Sequence, residues 1–173
     1  MKRSETSIRT KRMWLRQIDE TDSEAIVGLR SDERVYRFFI NPVKLTLEDH
    51  VRWYKTNYIM SSSRLDWIAV DDQTGVFIGI YGVKIKAHDT VEVSYITHTD
   101  KQRQGYASEA IKGLLVWAIK HLHVQYAVAN VHEENMESIS FAEKMGFEHI
   151  GKEGRFLSMK LSLDEAALCD NHR

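Results

Sequence analysis

Residues 100–111 read DKQRQGYASEAI and join two segments of different periodicity. Before them, Thr90–Thr97 alternates apolar and polar residues, which is typical of a β-strand. After them, apolar residues recur at helical spacing as far as His121, which predicts a helix. A single glycine, Gly105, lies at the junction. Taken alone, the junction is either a plain loop that needs one flexible residue or a cradle of backbone N–H groups for a phosphate.

The phosphate cradle has a physical basis. The first N–H groups of a helix have no partner within the helix, and the helix dipole adds positive potential at the same end. Gly105 would let the backbone approach a ligand closely, and the small side chains of Ala107 and Ser108 would leave that approach uncrowded. Arg103 would add a positive charge. The motif by itself is weak, so a plain loop stays the favoured interpretation until a second motif is found.

Composition and charge limit the class of protein. The chain has 173 residues, of which 43% are hydrophobic and 28% charged, which predicts one globular domain over residues 1–173 with an ordered core at about 10–163. A formal net charge of −1 gives no reason to expect nucleic acid or an anionic membrane as a partner. The apolar run Gly113–Ile119 is too short to span a bilayer. The only cysteine, Cys169, excludes an internal disulfide, and a cytoplasmic location fits these features.

Sequence patterns predict an α+β fold. Strands are predicted at residues 12–18, 66–71, 76–85, 90–97, 124–131, 147–150 and 156–161, and helices at 22–29, 46–58, 105–121 and 138–145. The fourth and fifth strands, 90–97 and 124–131, are joined through a helix, so we expect them to be parallel with a right-handed crossover. The other neighbouring strands can be antiparallel. Residues 31–44 are expected to be irregular, and little order is expected after Leu163.

A second motif, NMESISFAEKMGF at residues 135–147, changes the interpretation of the glycine loop. With it, the sequence resembles the GCN5-related N-acetyltransferase (GNAT) family. That family's Q/R-x-x-G-x-G/A motif is matched by Gln102, Gly105 and Ala107. Its N-x-x-S and E-K-x-G-F motifs are matched by Asn135, Ser138, Glu143, Lys144, Gly146 and Phe147. The resemblance covers nearly the whole chain in the order of its elements.

The resemblance implies the GNAT fold and acetyl-CoA as the acyl donor. The fold is a mixed, mostly antiparallel sheet with helices on both faces and parallel fourth and fifth strands that splay apart near Ile96 and Val131. The pantetheine arm would lie in that gap, with N–H groups near Ile96 and Thr97 directed at the thioester oxygen. The implied donor-binding residues are Ile96, Thr97, Gln102, Arg103, Gln104, Gly105, Tyr106, Ala107, Ser108 and Asn135. Asn135 could equally be the N-cap of its helix.

The chemistry implied by the resemblance departs from the family pattern at one position. Many relatives carry a tyrosine acid where this chain has Ala142. In the ribosomal-protein N-terminal acetyltransferase branch, which also commonly lacks that tyrosine, the corresponding strand carries a glutamate at the position of Glu92. By that likeness Glu92 is the candidate base and Ser138 the candidate acid, with Tyr95 and Tyr81 as back-up proton carriers. Glu92 could instead face solvent, and Ser138 could serve only its helix.

Three functions follow from these likenesses. The segment EDHVRW, residues 48–53, resembles acetyltransferases of nucleotide-linked amino sugars, which favours a small-molecule primary amine as acceptor. The alternatives are a protein N-terminal acetyltransferase and a non-catalytic acyl-CoA-binding module. The charged residues Arg30, Arg37, His50 and Arg52 would suit a phosphorylated acceptor. Eight histidines lack the spacing of a ligand set, so no metal is expected. Because many relatives dimerise, a homodimer stays open.

Overall fold

The computed structural model describes residues 6–169 as one mixed sheet flanked by helices. The strands of this part of the chain are β1 Ile8–Arg9, β2 Met13–Gln17, β3 Arg64–Asp71, β4 Phe77–Ala87, β5 Thr90–Thr97, β6 Tyr126–His132, β7 Glu148–Glu153 and β8 Phe156–Ser162. Its α-helices are α1 Ser23–Arg30, α2 Glu33–Tyr36, α3 Leu47–Trp53, α4 Tyr106–Leu122, α5 Met136–Lys144 and α6 Glu165–Cys169. Shorter helical turns occupy Glu20–Asp22, Tyr54–Tyr58 and Thr99–Lys101.

The strand order is β1-β2-β3-β4-β5-β6-β8-β7. β5 and β6 pair in parallel through the α4 crossover, and the other neighbouring pairs are antiparallel. Helices pack on both faces of the sheet. The larger core lies under α4 and α5, and the smaller one, beneath α1 and the turn after α3, contains Ile18, Ile26, Tyr54, Tyr58 and Ile68. The predicted α+β fold is confirmed.

Local signals correctly placed several helix ends. Thr46 caps α3 by accepting a hydrogen bond from the Asp49 N–H at 3.1 Å, as its capping pattern predicts. The Asp19 side chain caps the turn that leads into α1. After α5, Gly146 adopts a left-handed φ of 92°, the conformation that glycine favours at a helix C-terminus. These ends were predictable because each depends on one or two nearby side chains.

The structure adds elements that the sequence patterns did not indicate. β1 pairs Ile8 with Leu15 and is too short for a periodic signal. α2 lies in the segment expected to be irregular and is capped by the side chain of Asp32. β7 extends to Glu153 although all of it is exposed, because its backbone pairs with β8. α6 follows Leu163 and buries Leu168 against the main core.

The parallel strands separate partway along their length. β5 and β6 pair over Thr90–Glu92 and Tyr126–Val128 and then part. Beyond that point β5 stays paired with β4 as far as Thr97, and β6 stays paired with β8 as far as His132. The resulting gap contains Ile96 and Val131, where the resemblance placed it.

Candidate active site

The gap between β5 and β6 belongs to a cavity of about 1890 Å³. It runs from the loop before α4, past the open ends of the two strands, to the side of the sheet covered by α1, α2 and α3. A single small-molecule site typically occupies roughly 300–1,000 Å³. The cavity is therefore large enough for a donor and an acceptor side by side.

The glycine loop presents backbone N–H groups to this cavity. Gly105 has a φ of 81° and Arg103 a φ of 60°, so the chain turns twice through the left-handed region before α4 begins. Within residues 6–169, no protein oxygen accepts a hydrogen bond from the N–H groups of residues 103–108. Free N–H groups at a left-handed turn and a helix N-terminus favour an anion such as a pyrophosphate.

Glu109 anchors this loop to the N-terminal strands. Its Oε1 accepts a hydrogen bond from the Thr10 hydroxyl at 2.6 Å, and its Oε2 pairs with the Arg12 Nε at 2.7 Å. The Arg12 Nη1 also donates to the Gln104 carbonyl at 3.0 Å, and its guanidinium lies 4.2 Å from the centre of the Tyr106 ring. Burial tends to raise the pKa of Glu109, but hydrogen bonds from Thr10 and Arg12 outweigh burial and hold the pKa below its usual value.

We expect Glu109→Ala to lower the free energy of unfolding by about 2 kcal/mol at neutral pH, because it removes charge-assisted hydrogen bonds. The folded-state pKa is depressed, so this contribution is fully present above the ordinary pKa of 4.5 and is lost as pH falls through the folded value. Urea unfolding at pH 7 and pH 4 should therefore show a smaller difference between variant and wild type at pH 4. Glu148→Ala, on the exposed strand β7, is the control. Equal losses at both pH values would contradict the role of the ionised carboxylate.

The resemblance implies that Gln102, Arg103 and Gln104 bind the donor, but in the structure their side chains make contacts that hold the glycine loop. The Gln102 side chain donates to the Thr97 carbonyl at 3.3 Å, and the Gln104 side chain donates to the Asp100 carbonyl at 2.9 Å. Arg103 forms an ion pair with Glu137 across the mouth of the cavity. These contacts leave the backbone, rather than the side chains of Gln102 and Gln104, to contact a pyrophosphate.

The two strand amides implied to face the thioester point to different sides. The His98 N–H donates to the Ile78 carbonyl of β4 at 2.8 Å. The N–H groups of successive residues point to opposite sides of a strand, so the N–H of Ile96, two residues before His98, is also directed to β4. The N–H groups of Tyr95 and Thr97 are then directed into the gap. The N–H groups available to a thioester in the gap are thus those of Tyr95 and Thr97 rather than that of Ile96, and their contact with the donor stays a prediction.

Asn135 caps α5. Its side-chain oxygen accepts a hydrogen bond from the Ser138 N–H at 3.2 Å, which is the helix-capping alternative. The residue also lines the cavity, so its contact with the donor stays a prediction.

A hydroxyl pair lies where β5 faces α5. The Tyr95 hydroxyl is 2.7 Å from the Ser138 Oγ, and the Tyr95 ring packs 4.9 Å from the Phe141 ring. Burial raises the pKa of Tyr95, although its hydrogen bond to Ser138 opposes this, so the phenol is protonated at neutral pH. Ala142, at the position of the tyrosine in many relatives, is only 2% exposed. A protonated phenol on β5 is thus a candidate for the proton donor that Ala142 cannot supply.

Tyr81 is less suited to proton transfer. Its side chain is fully buried in the main core, and its hydroxyl is 2.8 Å from the Thr97 Oγ1. Burial raises the pKa of Tyr81 to about 12. We assign it to packing beneath the strand.

Glu92 is the last residue of β5 that pairs with β6. Its Oε1 accepts a hydrogen bond from the Asn130 side chain at 3.1 Å, and its Oε2 lies 3.1 Å from the Lys86 ammonium. Burial tends to raise the pKa of Glu92, but hydrogen bonds from Asn130 and Lys86 outweigh it and keep the pKa below its usual value. The carboxylate lines the cavity in its ionised form and can attract an ammonium or accept a proton through water.

This fold, with its splayed strands and glycine loop, defines a class of acyl-CoA-dependent transferases. The chain belongs to the GNAT family, since residues 12–148 match the family described as the acetyltransferase (GNAT) domain. It is therefore an acetyl-CoA-dependent acyltransferase.

The chain is also similar to individual proteins. The uncharacterised N-acetyltransferase YnaD of Bacillus subtilis is 27% identical over 145 residues, which cover 83% of this chain and 84% of YnaD. A spermidine N-acetyltransferase from Vibrio cholerae, solved with CoA and spermine, is similar in fold with a TM-score of 0.76 and 20% identity over 87% of this chain and 95% of that one. The ribosomal-protein α-N-acetyltransferase RimL, solved with coenzyme A, has a TM-score of 0.79 and 14% identity over 92% and 99% of the two chains.

Within residues 6–169, no helix is both long and apolar enough to cross a membrane. No three His, Cys, Asp or Glu side chains of the range lie close enough together to hold a metal ion. The expectation of metal-independent chemistry stays a prediction.

Proposed function

We propose that this chain transfers the acetyl group of acetyl-CoA to the primary amine of a small molecule, with an amino sugar as the first candidate. The observation that carries the proposal is the placement of two proton-handling groups along one opened strand. Glu92 lies where the gap begins, and Tyr95, hydrogen-bonded to Ser138, lies three residues further along β5. Side chains of residues 92 and 95 point to opposite faces of the sheet. An acceptor nitrogen and a departing sulfur can thus be served from different sides.

The proposed mechanism assigns each proton. An acceptor ammonium loses its first proton to the Glu92 carboxylate, directly or through water, before the nitrogen attacks the thioester carbon. The N–H groups of Tyr95 and Thr97 stabilise negative charge on the thioester oxygen. As the C–N bond forms and the C–S bond breaks, the nitrogen loses a second proton to water and the sulfur gains one from the Tyr95–Ser138 pair. Glu92 then releases its proton to solvent and the pair takes one back, so one proton in total leaves to solvent.

A protein N-terminus is the second candidate acceptor, favoured by the fold likeness to RimL. A peptide needs an open groove, however, and the segment before α3 lies across the cavity. Its Phe38 ring packs 5.7 Å from the ring of His132, at the end of β6. This cover supports a small acceptor over a peptide. The non-catalytic acyl-CoA-binding module was kept as an alternative because Ala142 cannot donate a proton. The Tyr95–Ser138 hydroxyl pair offers another proton donor, so this alternative is less favoured.

Release of CoA thiol from acetyl-CoA in the presence of a panel of amines tests the proposed function. The panel contains amino sugars with and without a nucleotide, spermidine, and peptides with ribosomal-protein N-termini. We expect the fastest release with an amino sugar. Release with peptides only would establish the second candidate, and binding of acetyl-CoA without release for any amine would support the binding module.

The acid role of the hydroxyl pair has its own test. We expect Tyr95→Phe to reduce the rate of acetyl transfer in a single turnover by about 100-fold, the usual size of one proton-transfer contribution. The affinity for CoA should be unchanged. The control is Tyr126→Phe, because the Tyr126 ring on β6 packs against Lys160. If Tyr95→Phe retains the full rate, the sulfur leaves as a thiolate without help.

We also propose a cytoplasmic location, metal-independent turnover and a homodimer, all of which rest on sequence and resemblance. Turnover in the presence of a chelator tests metal independence, and sedimentation equilibrium tests the homodimer. Loss of activity with the chelator, or a monomer at all concentrations, would contradict them.

A further inference from the structure

We propose that the acceptor carries an anionic group, a phosphate or a carboxylate, which binds between Arg30 and His50 on the wall of the cavity away from the glycine loop. This inference rests on the proposed function, because it names the chemistry of that acceptor. It distinguishes this chain's acceptor from a polyamine, which carries only positive charge.

His50 supplies the first observation. Its side chain is 1% exposed, and neither ring nitrogen has a hydrogen-bond partner within the described residues. Buried polar groups are nearly always hydrogen-bonded, and one left without a partner costs free energy. The ring stacks on Trp53 at 5.6 Å, which fixes its orientation, and the residue lines the cavity. Burial, followed by the nearby charge of Arg30, lowers the pKa of His50. A neutral imidazole keeps one N–H for a ligand oxygen.

Arg30 supplies the second observation. It lies at the end of α1 and lines the same cavity. Within residues 6–169 no ion pair joins its guanidinium to a carboxylate, and its buried Nε has no hydrogen-bond acceptor. The charges of Arg64 and Asp66 act on it with opposite signs. The guanidinium carbon of Arg30 lies 5.3 Å from the centre of the Phe39 ring. Burial of an unpaired charge is costly, and an anionic ligand would offset that cost.

The adjacent charges do not neutralise Arg30. Arg64 is paired with Asp66, with 2.6 Å between Nε and Oδ2 and 3.2 Å between Nη2 and Oδ1. Asp66 lies directly over Gly82 of β4, where a Cβ would come within 2.1 Å of its Oδ1. The pair Arg64–Asp66 is therefore fixed to the sheet and is neutral overall. Since His50 is also neutral, the guanidinium of Arg30 is left as the excess charge on this wall.

The anion site and the proposed base share one cavity. Glu92 lines it together with Arg30 and His50. The Glu92 carboxylate is also near enough to Arg64 to favour the charged form of that guanidinium. An acceptor with its amine at Glu92 and an anionic group at Arg30 would match both charges. A second ammonium at Arg30, as in a polyamine, would meet a like charge.

Binding of the anion is tested first, without acetyl transfer. Inorganic phosphate and acetate are titrated separately while the imidazole NMR signals of His50 are followed, which separates this site from the glycine loop. We expect saturable shifts in the wild type and binding weaker by about 10-fold to 100-fold in Arg30→Gln, as for loss of a charge-assisted donor. The control is Arg52→Gln, because Arg52, named from the sequence as a candidate for the same anion, is exposed, paired with Glu48 and not among the residues that line the cavity. Unmoved His50 signals, or equal binding in Arg30→Gln, would overturn the proposal.

Acceptor kinetics form the second arm. Glucosamine 6-phosphate, glucosaminic acid and glucosamine present a phosphate, a carboxylate and no anion on similar amines. We expect Arg30→Gln to raise the KM of the preferred anionic amine and to leave the KM of acetyl-CoA and the turnover of glucosamine unchanged. Turnover of glucosamine equal to that of both anionic amines would overturn the anion site while leaving the transferase function intact. Anion binding at His50 without turnover of any amine would instead retain the site and contradict the proposed function.

Discussion

Gly105→Val is expected to raise the dissociation constant for CoA at least about 100-fold, which corresponds to losing one or two hydrogen bonds to a charged group. Gly105 has a φ of 81°, a conformation that a β-branched residue avoids, so the turn must rearrange. A rearranged turn would no longer direct the free N–H groups of residues 103–108 to one point. Calorimetric titration with CoA measures the effect.

The same substitution should leave the fold intact. One left-handed residue other than glycine costs about 1–2 kcal/mol, less than the stability of an ordinary domain. Circular dichroism and thermal unfolding of the variant verify this. Gly151→Val is the matched control, because Gly151 lies on the exposed strand β7 with open space around it. A Gly105→Val protein that binds CoA with wild-type affinity would exclude the glycine loop as the pyrophosphate site.

Glu92→Gln is expected to reduce kcat by about 100-fold at neutral pH, because it removes the proposed proton acceptor while keeping the shape of the side chain. The KM for acetyl-CoA should not change. The amide can still accept a hydrogen bond from Asn130, so the site should remain folded. Steady-state kinetics at saturating amine measure the effect.

The pH dependence adds a second check on Glu92. Its pKa is held below the ordinary value of 4.5, so it is ionised throughout the neutral range and cannot limit the rate there. The value of kcat/KM for the amine should therefore be independent of pH through the neutral range and fall only where the acceptor ammonium itself titrates. Glu148→Gln, on the exposed strand β7, is the control. An unchanged kcat in Glu92→Gln would remove the base assignment.

Much of the donor side could be predicted from the sequence because its signals are local. Gly105, the small residues after it and the apolar repeat of α4 occupy one short stretch, and their spacing follows from helix geometry alone. The caps at Thr46 and Asp19 depend on side chains a few residues apart. The parallel strands followed from the helix between them. The direction of the Ile96 N–H, by contrast, depends on the register of β5 against β4.

The sequence by itself determined the order of the elements, the family likeness and the glycine loop, since each rests on residues near one another in the chain. Only the tertiary structure decided which side chains meet across long separations. Tyr95 meets Ser138 43 residues away, and Glu109 meets Thr10 99 residues away. Arg30 and His50 were named from the sequence among four residues that would suit an anion, but they come from different helices, and only the packing of α1 against α3 brings them to one cavity wall. Such contacts depend on which strands pair and which helix faces are buried, and these are set by the packing of the whole core rather than by local periodicity.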